Sequence, residues 1–336
     1  MRSSKHACKA MSELRWHPLL EEWVITATHR QERTFHPPPE YCPLCPTRPG
    51  ETPTEVPEPD YEIVVFENKF PSLLREPPEP AVEPTPFSPV RPSEGVCEVV
   101  LYTSDHNATL TDLSLERIEQ LIYVWRDRYQ ELSARPEVKY VFIFENKGRE
   151  IGVTLSHPHG QIYAYPFIPP KIERELRAQR RHMRQTGRCL LCEMLAFEQA
   201  DGRRLVDENA DWLALVPFFA RYPYEVWLLP KAHRRDLLDL TEREIEGLAH
   251  LLKRVLRRYD GLWNFSMPYV MAQHPRPSDG KPHPEWHFHI EFYPPYRTPD
   301  KLKYLAGSES GAGVFINDTL PEQTAAELRA VPMDDG

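Results

Sequence analysis

One order of residues occurs twice along this chain, and it limits the possible folds more than composition does. A Cys-x-x-Cys pair comes first, then a histidine closing an apolar run, then His-x-His opening another. The first half has Cys42/Cys45, His106 and His157/His159; the second has Cys189/Cys192, His233 and His287/His289. The interval is 51 positions from 106 to 157 and 54 from 233 to 287. The runs between these residues follow one plan. In the first half, strands are predicted at 62–66, 97–103, 140–145 and 161–165. A helix over 114–133 carries Leu115, Ile118, Leu121, Ile122, Trp125 and Tyr129 on one face. In the second half, strands are predicted at 212–216, 225–229, 269–273 and 287–293. Its helix starts at Thr241 and Glu244, which have capping-box spacing, and turns Ile245, Leu248, Leu252, Val255 and Tyr259 inward. The expected fold is α+β, a tandem duplication of a unit in which helices pack on an antiparallel sheet. The halves are 1–186 and 187–336.

With 336 residues, 40% of them hydrophobic, the chain can fill one large domain or two ordinary ones. No run of 18 apolar residues is free of charge, so no membrane span is expected. The stretch from Met1 to Ala10 is basic without an apolar centre, which argues against a secretion signal and for a cytoplasmic protein. A net charge of −9 argues against nucleic-acid binding, which needs a basic face. The densest basic run, Arg174 to Arg188, reads as a solvated helix face. The proline-rich stretch from Pro77 to Pro92 reads as an extended surface loop.

Four of the six cysteines form the two Cys-x-x-Cys pairs; Cys8 and Cys97 stand alone. Without a secretion signal, this arrangement favours metal ligation over disulfides. Tetrahedral zinc is commonly held by Cys₂His₂. Cys42, Cys45, His106 and His157 supply one such set, and Cys189, Cys192, His233 and His287 a second. Neither leaves an open coordination position, so both are expected to be structural.

His157 and His159 enter a strand two residues apart, which predicts that both face one way. A metal on His157 would then fix the backbone beside His159. A neutral imidazole whose other nitrogen is held by an acceptor can attack phosphorus and carry the phosphoryl group. Gly160 would let a phosphate approach the backbone, and the Gln161 amide would bind a non-bridging oxygen without relaying a proton. Two histidines in a Pro/Gly loop usually mark a plain turn, but the run Ser156-His-Pro-His-Gly-Gln161 is far more specific.

That run resembles the active-site signature of the galactose-1-phosphate uridylyltransferases, the transferase branch of the histidine-triad superfamily. The resemblance extends over nearly the whole chain. It takes in Trp23-Val-Ile, Arg30 and Arg33, Cys-Pro-Leu-Cys45, Phe66-Glu-Asn68, Asp105-His106 and Glu145-Asn146-Lys-Gly148. Beyond the signature it includes Leu229-Pro-Lys-Ala-His233, Trp286-His-Phe-His289, Lys303 and Ala306-Gly-Ser-Glu309. It implies a ping-pong reaction in which His159 takes the uridylyl group of UDP-glucose and passes it to galactose 1-phosphate. It also implies that Arg30, Arg33, Asn68, Asn146, Gly152, Thr154 and Gln161 contact the nucleotide, that Lys303 and Glu309 contact the hexose, and that the protein is a homodimer with its site near the subunit boundary. Related hydrolases keep a third histidine where Gln161 stands, which favours transfer over hydrolysis.

Two departures accompany the resemblance. Bacterial members carry iron on residues matching Glu175, His274, His287 and His289, whereas the Cys189/Cys192 pair resembles a two-zinc arrangement. Zinc on the cysteine set leaves Glu175, His274 and His289 as ordinary polar residues. In the tail, Ser308 and the run from Gly311 to Asn317 are closer to a phosphorylase-like branch. An ADP-glucose phosphorylase is therefore the main rival reading, followed by a dinucleotide hydrolase and by a non-catalytic zinc-stabilised interaction module.

Overall fold

The computed structural model describes residues 12–32, 37 and 41–333; Cys8 and Arg33 lie outside them. Strands β1 (Ser12–His17) and β2 (Glu22–Ala27) form a hairpin, followed by β3 (Val64–Glu67), β4 (Val90–Pro92) and β5 (Val96–Leu101). Next come helix α1 (Leu115–Ser133), β6 (Tyr140–Lys147) and β7 (His159–Tyr165). Helices α2 (Pro170–Thr186) and α3 (Leu190–Asp201) lead to β8 (Leu205–Glu208), β9 (Trp212–Leu215) and β10 (Val226–Pro230). Helix α4 (Glu242–Leu262), β11 (Tyr269–His274), β12 (His289–Tyr293) and a tail with α5 (Pro321–Ala330) complete the chain.

Nine strands join in one antiparallel sheet, ordered β3-β5-β7-β6-β11-β12-β10-β9-β8. Four strands of each half follow the same path. Numbered along the chain, they run first, second, fourth, third from the edge inward, and the halves meet third against third where β6 pairs with β11. A duplicated unit closed about a twofold axis gives this order, as the sequence repeat predicted.

Both long helices form for local reasons and are held by one core. Ser114 caps α1 by accepting from the Arg117 N–H, and Thr241 and Glu244 cap α4 reciprocally. Ile118, Trp125, Leu248 and Val255 from the two helices meet Ile143, Ile162, Met271 and Phe292 from the sheet. Alternation along the strands sends His159, Gln161, His274 and His289 to the opposite face. Part of that face is covered by β1, β2 and the loop around Leu73, and part by α2 through Ile172 and Leu176.

Several elements differ from expectation. The proline-rich stretch is mostly loop, but its last residues form β4, which pairs with β1 at the edge of a three-stranded sheet, where proline is tolerated. Helix α3 was not foreseen: Cys189 is its N-cap and Cys192 lies in its first turn. Helix α2 bears out the solvated basic face, since Arg174, Arg177, Arg181 and Arg184 are exposed, while Arg180 pairs with Glu285 at 3.0 Å.

Candidate active site

The site begins with the Cys-x-x-Cys turn, where the Cys45 N–H closes onto the Cys42 carbonyl at 3.2 Å. Cys42, Cys45, His106 and His157 converge with their ligand atoms within 4.8 Å of one another. Cys45 Sγ lies 3.4 Å from His106 Nδ1 and 3.5 Å from His157 Nδ1. The rear nitrogen of His157 faces the Thr103 carbonyl at 2.9 Å and the Tyr61 hydroxyl at 2.7 Å. A carbonyl only accepts, so Nε2 carries the proton and Nδ1 is the free ligand atom. Burial pushes the His157 imidazole down to about 4, which keeps it neutral.

His159 opens β7, but His157 precedes the strand, so alternation does not bind the two rings to one side. The ring of His157 turns to the cysteines. That of His159 sits with Nδ1 2.8 Å from the His157 carbonyl. The proton must again be on Nδ1, which leaves Nε2 with a bare lone pair. Burial lowers the pKa of His159, partly offset by that carbonyl, and favours the neutral ring at pH 7. Two residues along the same face, Gln161 accepts at Oε1 from Asn68 Nδ2 and from the Tyr163 hydroxyl, each at 3.4 Å. Its amide N–H groups remain as donors. Arg30 joins this patch, bonding the Phe70 carbonyl at 2.6 Å and lying beside Tyr163.

A cleft of about 790 Å³ opens beside His159, lined also by Asn146, Thr154, Ser156, Lys147 and Phe265. Of the residues expected to bind substrate, Asn146 and Thr154 line it, Arg30, Asn68 and Gln161 form the patch beside it, and Arg33 is not described. Gly152 has φ 86°, in the left-handed region, and ends the short turn before Val153 and Thr154. Lys303 and Glu309 do not line the cleft. They pair at 3.1 Å within the tail, which rests on the Ala220–Pro223 loop through Asn317 and Thr319. Packing also requires a glycine at 160: a Cβ there would lie 2.3 Å from the Tyr102 hydroxyl.

The second half repeats the metal geometry. Cys189, Cys192, His233 and His287 converge, with Cys192 Sγ 3.4 Å from His233 Nδ1 and 3.3 Å from His287 Nδ1. His287 Nε2 faces the Pro230 carbonyl at 3.0 Å. His287 falls in the cysteine set, as expected. The structure corrects one expectation here: Glu175, His274 and His289 are not ordinary, separate polar residues. They converge with Glu291, which the sequence reading missed, in a third group of potential ligands.

Comparison with known proteins agrees with this geometry. Models of the galactose-1-phosphate uridyl transferase N-terminal and C-terminal domains match residues 3–169 and 175–335. The chain is 44% identical to the galactose-1-phosphate uridylyltransferase of Thermotoga maritima, over 96% of this chain and 100% of that one. The chain belongs to the galactose-1-phosphate uridylyltransferase family. Among solved structures of similar shape, a uridylyltransferase superposes with a TM-score of 0.85 at 36% identity, covering 95% of this chain and 98% of that one. An ADP-glucose phosphorylase from Arabidopsis thaliana, with bound ADP-glucose, reaches 0.71 at 25% identity, covering 96% and 100%. Within this transferase family the bare nitrogen of His159 and the amide of Gln161 are the features that bear on chemistry.

Proposed function

We propose that this chain transfers a uridylyl group from UDP-glucose to galactose 1-phosphate through a covalent uridylyl-His159. The observation that carries this reading is the tautomer of His159, whose Nδ1–H is held by a carbonyl while Nε2 is bare beside the cleft. In the first step Nε2 attacks the α-phosphorus of UDP-glucose, and the P–O bond to glucose 1-phosphate breaks with its electron pair. In the second, a phosphate oxygen of galactose 1-phosphate attacks the same phosphorus, the P–N bond breaks, and UDP-galactose leaves. The ring is cationic in the intermediate, and the His157 carbonyl stabilises it through Nδ1–H. Both leaving groups are stable as anions or neutral imidazole, so no group need deliver a proton, and Gln161 serves as donor to a non-bridging oxygen.

Arg30, Arg33, Asn68, Asn146, Gly152 and Thr154 would hold the nucleotide in this reading. Lys303 and Glu309 would reach the hexose from a second copy of the chain, because neither lines the cleft of its own chain. Zinc suits both Cys₂His₂ sets, whose soft thiolates and carbonyl-bound imidazoles match its donor preference; bound there it supplies rigidity, with all four positions taken by protein. We place the enzyme in the cytoplasm as a homodimer. The active site falls to residues 1–186, and the second cysteine set and tail to residues 187–336. Among the described residues no helix is long and apolar enough to cross a membrane.

Intact mass after brief incubation with UDP-glucose or ADP-glucose, quenched in mild alkali because P–N bonds are acid-labile, tests the reaction. A uridylyl adduct is expected on the wild type, absent from His159→Ala and discharged by galactose 1-phosphate. An adenylyl adduct discharged by phosphate would assign the chain to phosphorolysis instead. Absence of any adduct would remove His159 as the nucleophile.

A further inference from the structure

The third ligand group already holds a cation of the protein's own. His289 repeats the arrangement of His159: its Nδ1 bonds the His287 carbonyl at 3.0 Å, which leaves Nε2 bare. That nitrogen and Glu291 Oε1 are buried, 3.4 Å apart, and neither has a hydrogen-bond partner. A carboxylate oxygen and an imidazole nitrogen left without other partners in a dry site attract a cation, a proton or a metal ion. Glu175 and His274 complete the set, bonded to each other at 2.9 Å. Carboxylate and imidazole donors together suit several divalent metals.

Lys171, in the first turn of α2, reaches into this group. Its ammonium bonds Glu291 Oε2, donates to the Tyr293 hydroxyl at 2.5 Å and lies 3.6 Å from Glu175 Oε1. Arg221 adds a second positive charge, 3.8 Å from Glu291 Oε2. Even with both imidazoles neutral, two carboxylates therefore face two cations, and a divalent ion would enter a group with no net negative charge. The cysteine sets differ. Each offers two ionisable thiols, and among the described residues no lysine or arginine is hydrogen-bonded to them.

We propose that Lys171 is a built-in counter-ion for the Glu175–His274–His289–Glu291 group and keeps divalent metal out of a site whose donors would otherwise bind it. The ammonium also ties the start of α2 to β12, so this group fastens the connection between the two halves without a metal.

Metal counting on the full-length protein tests this without reference to activity. Wild type, Lys171→Met and Glu291→Gln are each exposed to excess Co²⁺ under reducing conditions, desalted and counted by mass spectrometry. Cobalt on the cysteine sets gives thiolate charge-transfer absorption, whereas cobalt on Glu/His donors does not. The expectation is one more ion per chain in Lys171→Met than in wild type, with no added charge-transfer intensity, and loss of that ion in Lys171→Met/Glu291→Gln. This difference does not depend on how the cysteine sets fill, so it stands apart from the zinc reading. Equal counts in wild type and Lys171→Met would overturn the proposal. So would a wild-type ion outside the thiolate sites that Glu291→Gln removes, an outcome readable even where Lys171→Met does not fold.

Discussion

At the scale of single residues, what prepares His159 is a chain of hydrogen bonds that begins inside the metal knuckle. Tyr61 donates to the Leu44 carbonyl, between the two cysteines, at 3.0 Å and accepts from His157 Nε2; the His157 carbonyl then holds His159. Outer partners of this kind typically change metal affinity or activity by about 10- to 100-fold. Tyr61→Phe should therefore lose metal from the first cysteine set to a chelator roughly 10-fold faster and lower kcat with KM for both substrates unchanged. Unaltered metal release and kcat would remove Tyr61 from the chain. Glu145 makes a separate, pH-dependent contribution. It lies buried on β6, accepts from the Tyr269 hydroxyl at 3.2 Å, and burial raises its carboxyl to about 7 from an ordinary 4.5. The folded state therefore keeps a proton that the unfolded state releases between those two values. Its contribution to stability is complete below pH 4.5, falls as pH rises towards 7, and is flat above. Urea unfolding of wild type against Glu145→Gln should show the wild type losing on the order of 3 kcal/mol relative to the variant between pH 4.5 and 8. Parallel curves would mean that Glu145 ionises normally.

Between elements, the tightest constraint is where β7 passes the residue that follows β5. The Tyr102 hydroxyl occupies the space a side chain at 160 would need, so Gly160→Ala should cost about 1–3 kcal/mol by overpacking. Tyr102→Phe removes the obstructing oxygen and should recover part of that loss, a coupling that a double-mutant cycle on urea midpoints reads directly. Strict additivity would show that the strand accommodates the methyl group elsewhere. The same strand shows how far sequence could go. Order and type of the eight paired strands and two long helices were legible because alternation and 3.6-residue periodicity reflect which face is buried. Strand starts were less so: β7 and β12 begin at the second histidine of each His-x-His, and that displacement sends His157 and His287 towards cysteines instead of along the sheet face. Helix α3 was hidden because Cys-Leu-Leu-Cys reads equally as a knuckle. Glu291 was missed although its signal was present: a carboxylate two residues after His289 in an otherwise apolar strand must share that histidine's face. Lys171 and Arg221, distant in sequence, gave no local sign of meeting it.

For the whole molecule, joining the halves edge to edge into one sheet puts His159 and the tail on different strands of the same surface. From β7 to β12 is three strand spacings, roughly 14 Å. Lys303 follows β12, with its N–H on the Pro295 carbonyl, and its ammonium is spent on Glu309 and the Ile316 carbonyl. Neither Lys303 nor Glu309 lines the cleft beside His159 in its own chain. Around the tail, Tyr304, Leu305, Val314 and Ile316 are all at least 49% exposed, more apolar surface than an isolated polar-binding tail needs. A second copy docked there would cover these side chains and bring Lys303 to the partner's cleft, since a twofold contact that delivers one tail delivers both. Complementation in trans separates this arrangement from a site built within one chain. His159→Ala and Lys303→Ala should each be nearly inactive alone. Mixed, unfolded and refolded together, they should regain roughly a quarter of wild-type activity, because half the dimers are mixed and each has one site with both native residues. A site completed within one chain predicts no recovery, because neither variant then carries both residues.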